Sequence, residues 1–225
     1  MDTIILKSSI KNDSYTEHIY KHYDIQNTQE VVTKVPTFDI PKDDWNIGLI
    51  YGNSGSGKTT LINSMGGEYI DYEMNEDTPL ISNYDHLSEQ EASKLLSSVG
   101  LSSVPSWLKP YQVLSNGEKF RADMAMKLSK DERDVTFIDE FTSVVNRDVA
   151  KSVSVAISKY IRRNGKQVIF SSCHDDIIEW LQPNWIYYPE LGKLVKKKSK
   201  NDHLLNYVFL KGNTIRGEYL QSTTI

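Results

Sequence analysis

Cysteine is almost absent: Cys173 is the only one in 225 residues. No internal disulfide can form, and the chain suits a reducing cytosol. No run approaches the ~18 apolar residues that a membrane-spanning helix needs. The first residues, MDTIILKSSIK, carry neither a basic leader, a long apolar core nor a small-residue cleavage site, so no secretory signal is expected there. Neither charge dominates: 26 Lys and Arg against 30 Asp and Glu leave a net −4, which gives no general attraction to nucleic acid or anionic lipid. Internal repeats, low-complexity linkers and sustained heptads are missing as well. What remains is a cytoplasmic globular protein, read as one domain over 1–225 and long enough to bury roughly 70% of its unfolded surface. One local exception to the charge balance is KLVKKKSK, residues 193–200, read as a solvated strand or loop edge with a phosphate-contacting patch as the alternative.

Along the chain, Ile4 to Leu6 and Glu30 to Val35 are short β-like runs separated by polar turns, expected to form an antiparallel edge to the strands after residue 45. WNIGLIYG, residues 45–52, reads as a buried strand, and KTTLINSM after it as a helix. Ser88 and Glu91 form a capping box for a helix that stops at Gly100. A further helix is expected from Asn116 to Leu128, then the strand DVTFIDE, a long helix from Arg147 to Arg163, the strand KQVIFSS, the helix HDDIIEWL and the short strand WIYY. Strand, loop and helix followed by alternating strands and helices predict an open, mostly parallel α/β sheet. The segment from about 67 to 130 is mainly helical and forms a lobe, and a β-rich tail is expected over about 185–225.

Gly52, Asn53, Ser54, Gly55, Ser56, Gly57, Lys58 and Thr59 match G-x-x-x-x-G-K-[ST] at every fixed position, between a predicted strand and a predicted helix. The glycines let the backbone wrap phosphates closely, and the amide N–H groups supply positive potential. Lys58 is expected to reach the β- and γ-phosphates and Thr59 to bind Mg²⁺, with Thr60 next in the cradle. The pattern predicts a site for ATP with Mg²⁺. Downstream, VTFIDE delivers two carboxylates to the same sheet edge. Asp139 is placed to hold the metal with Thr59, and Glu140 to polarise an attacking water. His174 comes just after the next strand. Cys173 beside it reads as a small buried residue rather than a metal ligand, because no second Cys/His pair accompanies it.

Between the loop and the acids lies VLSNGEKFRADMAMKL, residues 113–128. Alone it is a helix with a Ser115–Glu118 capping box and Phe120, Met124 and Leu128 at helical spacing. The order of phosphate loop, then Leu114-Ser115-Asn116-Gly117-Glu118, then Asp139-Glu140 resembles the ATP-binding-cassette (ABC) ATPase family, whose signature is usually Leu-Ser-Gly-Gly-Gln. The resemblance implies a P-loop NTPase with a RecA-like, mostly parallel core, a small helical subdomain and an antiparallel β edge. It implies a nucleotide-sandwich homodimer in which Ser115 and Gly117 of one copy contact the γ-phosphate held by the other. His174 matches the switch histidine that contacts the γ-phosphate and attacking water. Asn146 or Asp148 stands in the inter-protomer segment, Tyr23 is the candidate for stacking on adenine, and Asn83 for the metal-coordinating glutamine loop. The chain departs from the signature at Asn116 and Glu118, and Glu118 adds a negative charge near the helix start.

LLSSVGL, LSNGEKFRADMA, IDEFTSVVNRDVAKSV and CHDDIIEWLQPNWIYYPE look like a soluble branch described as ABC ATPases associated with a predicted acetyltransferase. That resemblance covers roughly residues 20–192, and any acetyltransferase would be a separate chain. The expected function is a soluble ABC-type ATPase that hydrolyses Mg-ATP and drives or gates a partner, either an acetyltransferase or a nucleic-acid-processing factor. Two alternatives stand beside it: a DNA-repair or chromosome-type (SMC- or RecF-like) ATPase, and the ATP-binding subunit of a transporter. A nucleotide-gated scaffold with negligible turnover is a further variant.

Overall fold

The computed structural model describes residues 2–26, 30–67, 72–131 and 133–197. The chain opens with strand β1 (Thr3–Ser9), helix α1 (Ser14–His22) and strand β2 (Glu30–Pro36). β1 and β2 pair antiparallel from Thr3 opposite Pro36 to Ser9 opposite Glu30, and they make a two-stranded sheet of their own. The expected antiparallel pairing is thus present, as a sheet separate from the main one and with a helix, α1, between its strands. α1 arises from a further capping box: the Asp13 carboxylate accepts the Tyr15 and Thr16 amides, each at 3.0 Å, and the Thr16 hydroxyl accepts the Asp13 amide at 2.9 Å.

The main sheet contains β3 (Ile47–Tyr51), β4 (Val135–Ile138), β5 (Gln167–Ser172), β6 (Trp185–Tyr188) and β7 (Lys193–Lys196). Its order is β4-β5-β3-β6-β7, parallel except for β7, which runs antiparallel to β6 and provides that edge. The expected β-rich tail is therefore seen as β6 and β7. The rest of it, including residues 198–200 of the basic run, lies outside the described residues.

Side-chain alternation divides the core into two layers. Ile47 and Leu49 of β3, Ile138 of β4, Val168 and Phe170 of β5 and Ile186 of β6 share one face. They pack with α3 (Glu89–Ser98), α5 (Asn116–Lys130), α6 (Arg147–Arg163) and α7 (Ile177–Leu181). Ile50, Ile169, Trp185 and Tyr187 face the other way, against Leu61 and Ile62 of α2 (Lys58–Ser64) and Val35 of β2. Between α2 and β4 lie a 3-10 turn (Leu80–Tyr84), α3, the short helix α4 (Val104–Trp107), a second 3-10 turn (Tyr111–Val113) and α5. Leu80, Tyr84, Leu95, Leu96, Phe120 and Met124 of this helical lobe join the same apolar cluster as the first sheet face.

Two local expectations change. HDDIIEWL reads as one helix in the sequence, but α7 begins only at Ile177, with Asp176 as its N-cap and the Asp176 carboxylate bound to Arg147 at the start of α6. Cys173 is exposed rather than buried, since it sits one residue past the end of β5, beyond the layer that the helices cover.

Candidate functional site

The loop between β3 and α2 is shaped by Gly57, which sits at φ +88 as the N-cap of α2. A Cβ there would lie 2.5 Å from a methyl of Val35, so β2 presses on the loop from outside and only glycine fits. No side chain caps α2, and the Ser56 hydroxyl is buried without a partner among the described residues. The Lys58 ammonium donates to the carbonyls of Gly52 at 2.9 Å and Asn53 at 2.7 Å. From the far end of the chain, Glu190 accepts the Asn53 amide at 3.1 Å and ties the entrance of the loop to the turn after β6.

Asp139 continues the parity of Val135 and Phe137, which puts its carboxylate on the face covered by α2. There the Thr59 hydroxyl donates to Asp139 Oδ2 at 2.6 Å. Ile138 pairs with Phe170, so the next residue of β5, Ser171, stands beside Asp139 and donates its hydroxyl to Oδ1. The Glu140 amide donates to Asp139 Oδ1 and to Ser171 Oγ, each at 3.0 Å. Those bonds hold Glu140 at φ +49, a left-handed conformation that costs a non-glycine residue on the order of 1–3 kcal/mol. Ser172, at the end of β5, serves both neighbours: its carbonyl accepts the Gly52 amide at 3.3 Å, and its hydroxyl accepts the His174 amide at 3.1 Å.

Thr59, Asp139 and Glu140 line one cavity of about 500 Å³, together with Lys127 from the far end of α5. Burial lowers the Lys127 pKa, opposed by the charges of Asp123 and Asp139. One hydroxyl and one carboxylate suit Mg²⁺, which takes one or two carboxylates and leaves its other positions to phosphate and water. Among the described residues no cluster of three or more His, Cys, Asp or Glu could hold a metal without such help.

The loop and the acids meet at one sheet edge, with the His174 backbone held just past the adjacent strand, while other sequence-predicted residues are placed differently. Tyr23 caps the C-terminus of α1 with 67% of its surface exposed, and the contact onto Gly57 from this region comes instead from Val35. Asn83 does not line the cavity: its side-chain oxygen accepts the Asn75 amide at 2.6 Å, closing a turn within the helical lobe. Asn146 caps α6 by accepting the Val149 amide at 2.9 Å, and Asp148 is exposed in its first turn.

Ser115 and Asn116 are exposed at the start of α5, outside the cavity that holds Asp139. Glu118 does not leave a bare charge there. Its Oε2 accepts the Ser115 amide at 2.9 Å and the Ser115 hydroxyl at 2.7 Å, while Oε1 accepts the Ser106 hydroxyl at 2.6 Å. These donors, Ser106 first, bring its pKa down to about 2. A depressed carboxyl stabilises the fold fully above its unfolded value of about 4.3, and that contribution is lost as pH falls through about 2. Glu118→Gln should therefore flatten the acid limb of a melting-temperature profile between roughly pH 2 and 5, by lowering stability at neutral pH by ~1–2 kcal/mol and leaving it little changed near pH 2. An unchanged acid limb would show that Glu118 does not carry this effect.

Sequence reasoning missed Ser171, Ser172, Glu190, Lys127 and the pair Arg147–Asp176. Arg147 binds both oxygens of Asp176, with Nε donating to Oδ2 at 2.8 Å, lies 5.1 Å from the Trp180 ring centroid, and donates to the Thr142 hydroxyl at 3.3 Å. It joins the turn after Glu140 to the segment after His174. The two serines were visible as hydroxyls ending an otherwise apolar strand.

These features define a phosphate-loop site at the C-terminal edge of a parallel sheet. No protein-family model and no curated protein matches the sequence. Solved structures do match the fold. A dimeric ATP-binding cassette in a post-hydrolysis state bound to ADP and Pi is 14% identical with a TM-score of 0.52, covering 73% of this chain and 97% of its own. An ATP-binding cassette of an ABC transporter in its ADP conformation is 15% identical with a TM-score of 0.53, covering 79% and 87%. CbiO1 from Clostridium perfringens, part of an ABC transporter complex, is 18% identical with a TM-score of 0.51, covering 78% and 87%. The chain has the P-loop NTPase fold of the ATP-binding cassettes.

Proposed function

We propose that the protein is an ABC-type ATPase that binds and hydrolyses Mg-ATP between two copies of itself. The observation that carries this reading is the junction of Thr59, Asp139 and Ser171, which aims a metal-binding hydroxyl and carboxylate at the mouth of a complete phosphate loop. A phosphate entering the loop competes with the Gly52 and Asn53 carbonyls for the Lys58 ammonium. Mg²⁺, when bound, neutralises charge developing on the transferred phosphoryl group. Glu140 accepts a proton from the attacking water, and His174, fixed by Ser172, contacts the γ-phosphate side.

Ser115 and Gly117 are exposed or half-buried at the capped start of α5 and serve the nucleotide of the partner copy. Tyr23, exposed on α1, is the candidate platform for adenine. No helix of the described residues is long and apolar enough to cross a membrane; we read the protein as cytoplasmic and acting on a separate effector. Lys58→Ala should weaken ATP binding at least ~100-fold, since a charge-assisted contact to two phosphates is lost. A calorimetric titration measures this directly, and wild-type affinity in the variant would remove the phosphate loop from the reading.

A further inference from the structure

A second cleft of about 870 Å³ lies on the side of the molecule formed by α3 and α6, and it takes no part in the site above. Lys94, Ser97 and Ser98 of α3 form one wall, and Ser152, Lys159 and Arg163 of α6 the other. No carboxylate lines it, and none of these three cations enters an ion pair among the described residues. Such a cluster is unexpected on a chain of net charge −4. Tyr160 also lines the cleft, half-buried, with its ring against the core.

Arg121 of α5 reaches one of the lining residues, Ser152. Its Nη2 donates to Ser152 Oγ and its Nη1 to the Gly117 carbonyl, each at 3.0 Å, while its Nε is buried without a partner among the described residues.

We propose that this cleft binds the phosphate backbone of single-stranded nucleic acid. Lysine, arginine and serine side chains are backbone-phosphate ligands, and they carry no sequence preference of their own. Val155, Ala156 and the half-buried Tyr160 are the apolar residues of the lining, a small floor beside three cations, whereas a protein partner would be expected to need a larger central anchor pocket. From Ser152 to Arg163 the α6 wall runs ~16 Å, at 1.5 Å per residue, enough for a strand of a few nucleotides rather than a duplex. Tyr160 lines the same cleft and adds aromatic surface against which a base can pack. Through Arg121, a strand held at Ser152 is one side chain from Gly117, so its binding changes ATP turnover. That last link depends on the ATPase reading, whereas strand binding does not.

The test is fluorescence anisotropy with a labelled oligothymidylate of ~12 nucleotides, without ATP. Micromolar binding is expected, with a slope of log K against log salt near −2 for about three phosphate contacts. The double variant Lys159→Gln/Arg163→Gln should lose about tenfold in affinity and bring the slope towards about −0.7, the value for one remaining contact. Lys58→Ala should bind the strand as wild type does. If the double variant unfolds, Lys94→Gln replaces it, with a smaller loss in the same direction. Absence of binding, binding that survives the charge removal, or capture of a phosphoserine peptide in place of the oligonucleotide each overturns the proposal. Saturating oligothymidylate should also change the steady-state ATPase rate of the wild type; an unchanged rate overturns the link through Arg121 and leaves strand binding standing.

Discussion

Glu140→Gln should slow ATP hydrolysis by ~10²- to 10⁴-fold, the range that general-base catalysis contributes, while leaving nucleotide affinity within about threefold of wild type. The separation comes from how the residue is held. Its backbone is pinned by two hydrogen bonds from its own amide, to Asp139 and Ser171, so the left-handed turn does not depend on the side chain. The carboxylate itself is exposed and makes no hydrogen bond among the described residues. Glutamine keeps the shape but cannot accept the proton of an attacking water. Single-turnover phosphate release gives the rate, and a binding titration gives the affinity. A variant that hydrolyses within about twofold of wild type would move the base elsewhere, with His174 the next candidate.

Gly48→Ala is expected to have the largest effect on stability. Gly48 lies in the middle of β3, opposite Trp185 of β6, and an added Cβ would come within 2.0 Å of the indole ring. That indole is 1% exposed and packs edge-on against Trp45 and Phe38, with ring centroids 5.4 Å and 5.5 Å away. It has nowhere to move, and β3 is clamped between β5 and β6. Overpacking of this kind costs ~1–3 kcal/mol or more. At this chain length that is a fall in melting temperature of roughly 2–12 °C. A second change, Trp185→Phe, should recover part of the loss by making room. An unchanged melting temperature for Gly48→Ala would show that the sheet relaxes more freely than this packing allows.

Much of the site was legible in the sequence, and the reasons are physical. The phosphate loop carries its own backbone requirements, and a strand of period two tells which way its last carboxylate points: Val135, Phe137 and Asp139 share a face. α6 spans Arg147 to Arg163 as read, because Asn146 caps its start and Gly165, at φ +62, ends it. Local capping chemistry made both ends visible. Contacts between distant segments were not: Glu190 meets Asn53 across 137 residues, and Asp176 meets Arg147 across 29, and no local pattern marks either pair. Asn83 misled for the opposite reason. An asparagine near the expected glutamine loop suggests a metal ligand, but its amide is used up in a turn eight residues away. The helix α1 was missed because an Asp13–Thr16 capping box is a weaker signal than Ser–Glu, and no residue of the helix is buried.

The meaning of α5 still turns on what its first residues face. The structure places Ser115 on the outside of the molecule, away from the cavity that holds Asp139, as a residue serving another copy would be. The most direct test is the mass in solution of the Glu140→Gln protein at micromolar concentration, with and without saturating Mg-ATP. A shared site requires a monomer without nucleotide and a dimer with it. It also requires that adding Ser115→Arg abolish the dimer while each chain still binds ATP. A Glu140→Gln protein that stays monomeric while fully loaded with ATP would contradict the shared site.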